Sequence, residues 1–124
     1  MKIRVYYEDT DAGGIVYHTN YVKYCERARS EYLFAQNVMP GEGSDFGFVV
    51  KNITADFYDS ATLGDMLEVK NRLLHMKSAS FVLEQTIYKE SIKIFSMDVV
   101  LVYIEDGKIK RIPPNFKNIF LNIK

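Results

Sequence analysis

A chain of 124 residues is long enough for one domain with a real core and too short for two. Lys+Arg and Asp+Glu each number 16, which gives zero net charge and argues against the broad basic surface that backbone-driven nucleic-acid binding needs. The single cysteine, Cys25, excludes an internal disulfide and fits a reducing compartment. Residues 1–9 carry Lys2, Arg4, Glu8 and Asp9 and have no apolar core of the signal-peptide kind. The longest apolar run, MDVVLVYI, is far short of a membrane span and contains Asp98. The expectation is a single cytoplasmic domain over residues 1–124.

In chain order, KIRVYYE alternates Ile3, Val5 and Tyr7 with Lys2, Arg4 and Glu8, the period of a strand. From about Asn20 to Gln36 the period becomes helical, with Tyr21, Cys25, Ala28, Tyr32 and Ala35 on one stripe. NVMPGEGSDFG reads as a loop by composition. Four strands are expected after it, at roughly 48–57, 66–76, 80–89 and 92–104. The turn signal Asp106-Gly107 then returns KIKRI as a hairpin arm. After Pro113-Pro114, Phe116, Ile119, Phe120 and Ile123 have the spacing of a short helix. Short connections imply antiparallel pairing. One amphipathic helix across a curved antiparallel sheet buries both apolar surfaces, an α+β arrangement of order β-α-β-β-β-β with a terminal helix. Such a sheet keeps open edges, so an oligomer is expected.

DTDAGGIVYH, residues 9–18, stands apart from this pattern. Asp9, Asp11 and Gly14 fit positions 1, 3 and 6 of a calcium loop. Gly13 and Asn20 fall where a fifth-position oxygen and a bidentate Glu are required, so no metal site is expected. A phosphotransfer D-x-D site lacks the parallel sheet that would carry it. A plain turn explains the glycines and one aspartate, since Asp bonds nearby amides and Gly supplies positive φ. It does not explain a helix that starts after His18 with no acid in its first turn. A helix start carries unpaired N–H groups and partial positive charge. Thr19 or Asn20 can cap one of those amides, and the rest remain available to an external oxygen. An electrophilic carbonyl resting there would face Asp11, as nucleophile or as base toward water. Each such amide contributes on the order of 10²–10³ in rate, and a positioned base on the order of 10²–10⁴. That suits an activated acyl group such as a thioester.

VYYEDTDAGGIVYHTNYVKYCERARSEYL resembles the N-terminal signature of the YbgC-type acyl-CoA thioesterases, in the 4-hydroxybenzoyl-CoA thioesterase branch of the hotdog-fold superfamily. ITADFYDSATLGDMLEV and SASFVLEQTIY continue the likeness more weakly, so it covers most of the chain. The resemblance implies a five-stranded antiparallel sheet wrapped around one long helix, in homodimers or homotetramers. It implies hydrolysis of acyl-CoA, or of acyl groups on acyl carrier protein, with no cofactor beyond the coenzyme A of the substrate. Matched residue by residue, Asp11 is the catalytic carboxylate, as nucleophile or general base. The His18 backbone N–H polarises the carbonyl and its imidazole is a further site residue. Tyr7 matches a pocket position. HMKSASF aligns with the stretch where related enzymes contact the nucleotide, which makes Lys77 and Ser78 candidates for coenzyme A contacts, and Thr62, in DSATLGD, is a candidate to approach pantetheine. Asp9 reads as a turn and helper residue, and His75 as structural. Cys25 lies about 10 Å along the helix from His18 and reads as core. Relatives linked to envelope lipid metabolism suggest peripheral contact with the inner membrane.

The chief rival within the fold is a non-catalytic acyl-CoA-binding or regulatory domain, which would have no use for Asp11. A dehydratase would pair a His with an acid from another strand in a "GH" loop that the chain lacks. A cystatin-like inhibitor shares the element order, but its Gln-x-Val-x-Gly stretch is missing.

Overall fold

A computed structural model describes residues 1–39 and 46–123, with Phe46 described by its backbone alone. The expected loop after the long helix therefore lies partly outside the described residues, Pro40, Gly41 and Gly43 among them. The elements are β1 (Lys2–Arg4), a 3-10 turn (Tyr7–Asp9), α1 (His18–Ala35), β2 (Phe46–Phe57), β3 (Met66–Met76), β4 (Ser80–Lys89), β5 (Ile92–Glu105), β6 (Lys108–Ile109) and α2 (Pro114–Leu121). One antiparallel sheet runs in the order β1-β3-β4-β5-β2, and the hairpin arm β6 pairs with β5 as a sixth strand.

The long strands follow the period-two pattern. In β4 the alternate residues Phe81, Leu83, Gln85 and Ile87 are all buried, and β5 answers from across the ladder with Met97, Val99 and Leu101. In β3 Leu67 and Val69 point inward, but a bulge between Leu73 and His75 breaks the alternation and leaves His75 exposed. α1 has no Gly or Pro for eighteen residues. It ends where Asn37 adopts φ 60°, with the Asn37 N–H bonded to the Phe34 carbonyl and the Val38 N–H to Leu33. That pairing satisfies the last carbonyls in the Schellman manner. Tyr21, Tyr24, Cys25, Ala28 and Leu33 form its buried face. Ala35, expected on that stripe, is exposed, although Leu33 two residues earlier is buried.

Helix and sheet are joined by a polar pin as well as by packing. Gln85, wholly buried, donates to the Cys25 carbonyl and to Asn71 Oδ1 at 2.8 and 2.7 Å, and accepts from Arg29 Nη1 at 2.8 Å. Burial holds the Arg29 guanidinium below its ordinary pKa, which marks how far it has left solvent. At the other end of α1, Tyr21 stacks on Phe95 with centroids 5.4 Å apart and accepts the Ala61 N–H at 3.0 Å. α2 closes the far end: Phe120 packs on Phe81 at 4.2 Å and on Phe48 at 5.3 Å. β2 is an edge strand of twelve residues that leaves Val49, Val50, Ile53 and Phe57 exposed. Among the described residues no helix is long and apolar enough to cross a membrane.

The N-terminal strand is shorter than its alternation suggests. β1 stops at Arg4, Val5 is buried, and the chain turns through Tyr7–Asp9. Tyr7 therefore leaves the inward row it would share with Ile3 and Val5, and stands 81% exposed. The Asp9 carboxylate causes the turn: it accepts the Tyr6 N–H at 2.9 Å, and that bond bends the strand aside.

Candidate functional site

The distinctive segment folds as a small hairpin standing on the start of α1. The Tyr17 N–H donates to the Asp9 carbonyl at 3.0 Å, Thr10 bridges Val16, and the Asp11 N–H donates to Ile15 at 2.8 Å. Its tip is a turn closed by the Gly14 N–H on the Asp11 carbonyl at 3.0 Å. Gly14 sits at φ +84°, where a side chain would be strained. Asp11 Oδ1 accepts the Gly13 N–H at 2.8 Å, an Asx turn, and a Cβ on Gly13 would come within 3.2 Å of that oxygen. The glycine pair lets the backbone wrap one carboxylate oxygen. The other has no partner among the described residues, and the side chain is exposed.

The hairpin stem closes at Tyr17, the residue before the helix. α1 starts without a side-chain cap and without an acid in its first turn. The Asn20 N–H bonds back to Tyr17, whereas among the described residues the N–H groups of His18 and Thr19 find no acceptor. Both residues are exposed. Two donors at the positive end of an eighteen-residue helix thus lie open beside the Asp11 hairpin, an arrangement that can hold a negative or polarised oxygen. The capping expected of Asn20 does not occur, because its amide donates to the Asp9 carbonyl at 2.9 Å. The His18 ring lies against aromatic neighbours, 4.6 Å from Tyr17 and edge-on to Phe57 at 6.4 Å.

Thr62 joins this group. Ile15 bridges Thr62, and the Val16 N–H donates to Ala61, so the β2–β3 connection runs beside the hairpin. The Thr62 N–H and hydroxyl both donate to Asp65 Oδ2, at 2.8 and 3.2 Å. Asp65 also pairs with Lys89 at 2.9 Å. Burial opposes that carboxylate's charge, but the Lys89 and Thr62 hydrogen bonds outweigh it and hold the pKa below the ordinary value.

Lys77 and Ser78 do not join it within one protomer. They lie past the far end of β3, whose eleven residues extend for roughly 33 Å along the strand. There the Lys77 N–H closes on Ser80 and the Ser78 carbonyl accepts the Ile112 N–H. Tyr7 is close in sequence, its carbonyl accepting the Thr10 N–H and hydroxyl, but its ring faces outward.

Asp9 holds a turn as expected, and it is 8% exposed and bonded through both carboxylate and carbonyl, a degree of burial that the sequence did not signal. It faces the buried Tyr24 hydroxyl, which has no hydrogen-bond partner among the described residues. Burial, with the Asp9 charge behind it, raises the Tyr24 pKa above the ordinary phenol value. An apolar cavity of about 310 Å³ was also not foreseen. It opens between the second half of α1, β2 and α2, with Phe48, Phe81, Leu101 and Phe120 on its walls and Arg29 at its side. Arg29 lies about 16 Å along the helix from His18.

Comparison with known proteins fits this architecture. Residues 13–95 match the family model of the thioesterase superfamily. A Helicobacter pylori protein named acyl-CoA thioesterase YbgC is 52% identical over 88 residues, 71% of this chain and 65% of that protein. The matched stretch thus spans just under two thirds of that relative's length. The Haemophilus influenzae acyl-CoA thioesterase YbgC is 37% identical, over all of this chain and 95% of its own. Among solved structures, an Aquifex aeolicus protein described as hypothetical superposes with a TM-score of 0.92, at 26% identity and 97% coverage of both chains.

Proposed function

The chain belongs to the thioesterase superfamily, with the YbgC proteins among its relatives, and from that membership we propose that it hydrolyses acyl-CoA to free acid and coenzyme A. The observation that carries this reading is the pair of open N–H groups at His18 and Thr19 beside a hairpin that presents Asp11. In the proposed reaction the thioester carbonyl oxygen rests on the His18 N–H. Its carbon is attacked by the free Asp11 oxygen, or by water that Asp11 deprotonates. The carbon–sulfur bond breaks and coenzyme A leaves as a thiol; on the first route water then opens the mixed anhydride. Developing negative charge on the oxygen strengthens its bonds to the amides, so they favour the transition state over the ground state.

The His18 imidazole stands at the same rim and orients water or the leaving sulfur. Tyr7 offers an exposed ring just ahead of the hairpin, and Thr62 lies where pantetheine would pass. Lys77 and Ser78 are proposed for the nucleotide phosphates. If one coenzyme A meets them and Asp11 together, they come from a second copy. The open apolar edge of β2 supports such a homodimer, which pairs further into a homotetramer. Acyl carrier protein is the alternative acyl donor, and the proposed setting is the cytoplasm with peripheral contact at the inner membrane.

A second reading, a non-catalytic acyl-CoA-binding domain, draws on the Asx turn, which gives Asp11 a structural task of its own. The two are separated by incubating the purified protein with CoA esters from acetyl to palmitoyl and with aromatic esters, and following thiol release. Hydrolysis above the uncatalysed rate supports the enzyme. Tight binding of the same esters with no released thiol supports the binder.

A further inference from the structure

Asn20 occupies the third position of α1, where its side chain could fold back over the helix start. It turns away instead. Its amide donates to the Asp9 carbonyl at 2.9 Å, the same oxygen that takes the Tyr17 N–H at 3.0 Å. One carbonyl thus accepts from the last residue of the hairpin's return arm and from the first turn of the helix. Asp9 is 8% exposed and Val16, within the stem, is 2% exposed, so this junction lies in a packed environment. Two residues beyond Asp9 stands Asp11, and two residues before Asn20 stands His18.

We propose that Asn20 is a positioning residue: its amide clamps the Asp11 hairpin to the helix start and, by being so engaged, leaves the His18 and Thr19 N–H groups open. The inference rests on the hydrolytic reading above and adds to it the part that fixes carboxylate and donors relative to each other. An asparagine suits the task because it donates without carrying charge. A carboxylate in its place would be repelled by the Asp9 carbonyl and would put a negative charge beside the open amides, against the charge an acyl oxygen develops there. A positioning error near 1 Å costs on the order of 10²-fold in rate, so a loosened clamp is read in kcat.

The test compares Asn20→Ala and Asn20→Asp with the parent, measuring kcat and KM for the best CoA ester, thermal unfolding, and amide hydrogen exchange at Asp11 and Tyr17. Asn20→Ala is expected to lower kcat about 10–100-fold with KM changed less than threefold, and to speed exchange at both amides. Asn20→Asp, which adds an acid to an uncapped helix start, is expected to unfold no earlier than Asn20→Ala and yet to lose at least as much kcat. Activity and stability then part company, which a purely structural asparagine would not produce. Parent-like kcat in both variants, or losses that follow the unfolding temperatures, would overturn the proposal. Should the parent hydrolyse no ester, the functional reading fails separately, and exchange still decides the clamp: unchanged protection at Asp11 and Tyr17 in Asn20→Ala would refute it.

Discussion

Asp11 serves both the turn and the proposed chemistry, and two substitutions pull those tasks apart. Asn at position 11 keeps an oxygen that can accept the Gly13 N–H, whereas Ala removes it. Asp11→Asn should therefore leave stability within about 0.5 kcal/mol of the parent, as expected of an exposed site whose local bond survives. It removes the carboxylate that attacks or deprotonates, a contribution of about 10²–10⁴ in rate. At 1.36 kcal/mol per decade this is about 2.7–5.4 kcal/mol of barrier. Asp11→Ala should lose the same activity and in addition the Asx bond, about 0.5–1.5 kcal/mol, which lowers the unfolding midpoint by about 2–8 °C. Thiol release from the best CoA ester gives the first quantity and thermal or urea unfolding the second. An Asn variant within threefold of parental kcat would refute a catalytic Asp11. An Ala variant as stable as the parent would refute the Asx turn as a structural bond.

Gln85→Leu should cost about 1–3 kcal/mol in urea unfolding, because it strips three hydrogen bonds and leaves Arg29 and the Cys25 carbonyl short of partners; a loss under 0.5 kcal/mol would mean that water replaces the side chain. Cys25 is buried, and burial pushes its thiol pKa up to about 12, only partly offset by the nearby Arg29 charge. At pH 8 the native protein should leave a thiol reagent unreacted while the urea-unfolded chain consumes one equivalent, and native labelling at the rate of free cysteine would contradict the packing at that site.

The strands were readable because half-buried antiparallel pairs impose period two, and β3 and β4 span the residues that their patterns led one to expect, 66–76 and 80–89, even though a bulge interrupts the alternation of β3. The N-terminal strand misled because a hydrogen bond, Asp9 to the Tyr6 N–H, ends it before its alternation does. Gln85 could have been flagged, since it stands in the inward row between Leu83 and Ile87, where a polar residue needs a built partner. The DTDAGG segment announced a turn, and the acid-free helix start announced open amides; both features are present. What spacing could not supply was the destination of each side chain. Asn20 has the composition of a cap and does another task, and which acceptor it reaches depends on how the hairpin packs. Lys77 and Ser78 are coenzyme A candidates by resemblance, but the length of β3 separates them from the Asp11 hairpin in space within one protomer.

The Asx turn at Asp11 bears on timing. With one oxygen tethered to the Gly13 N–H, the carboxylate loses much of its rotational freedom when the chain folds, once, rather than at each encounter with a ligand. Whatever meets the remaining oxygen meets a group already aimed.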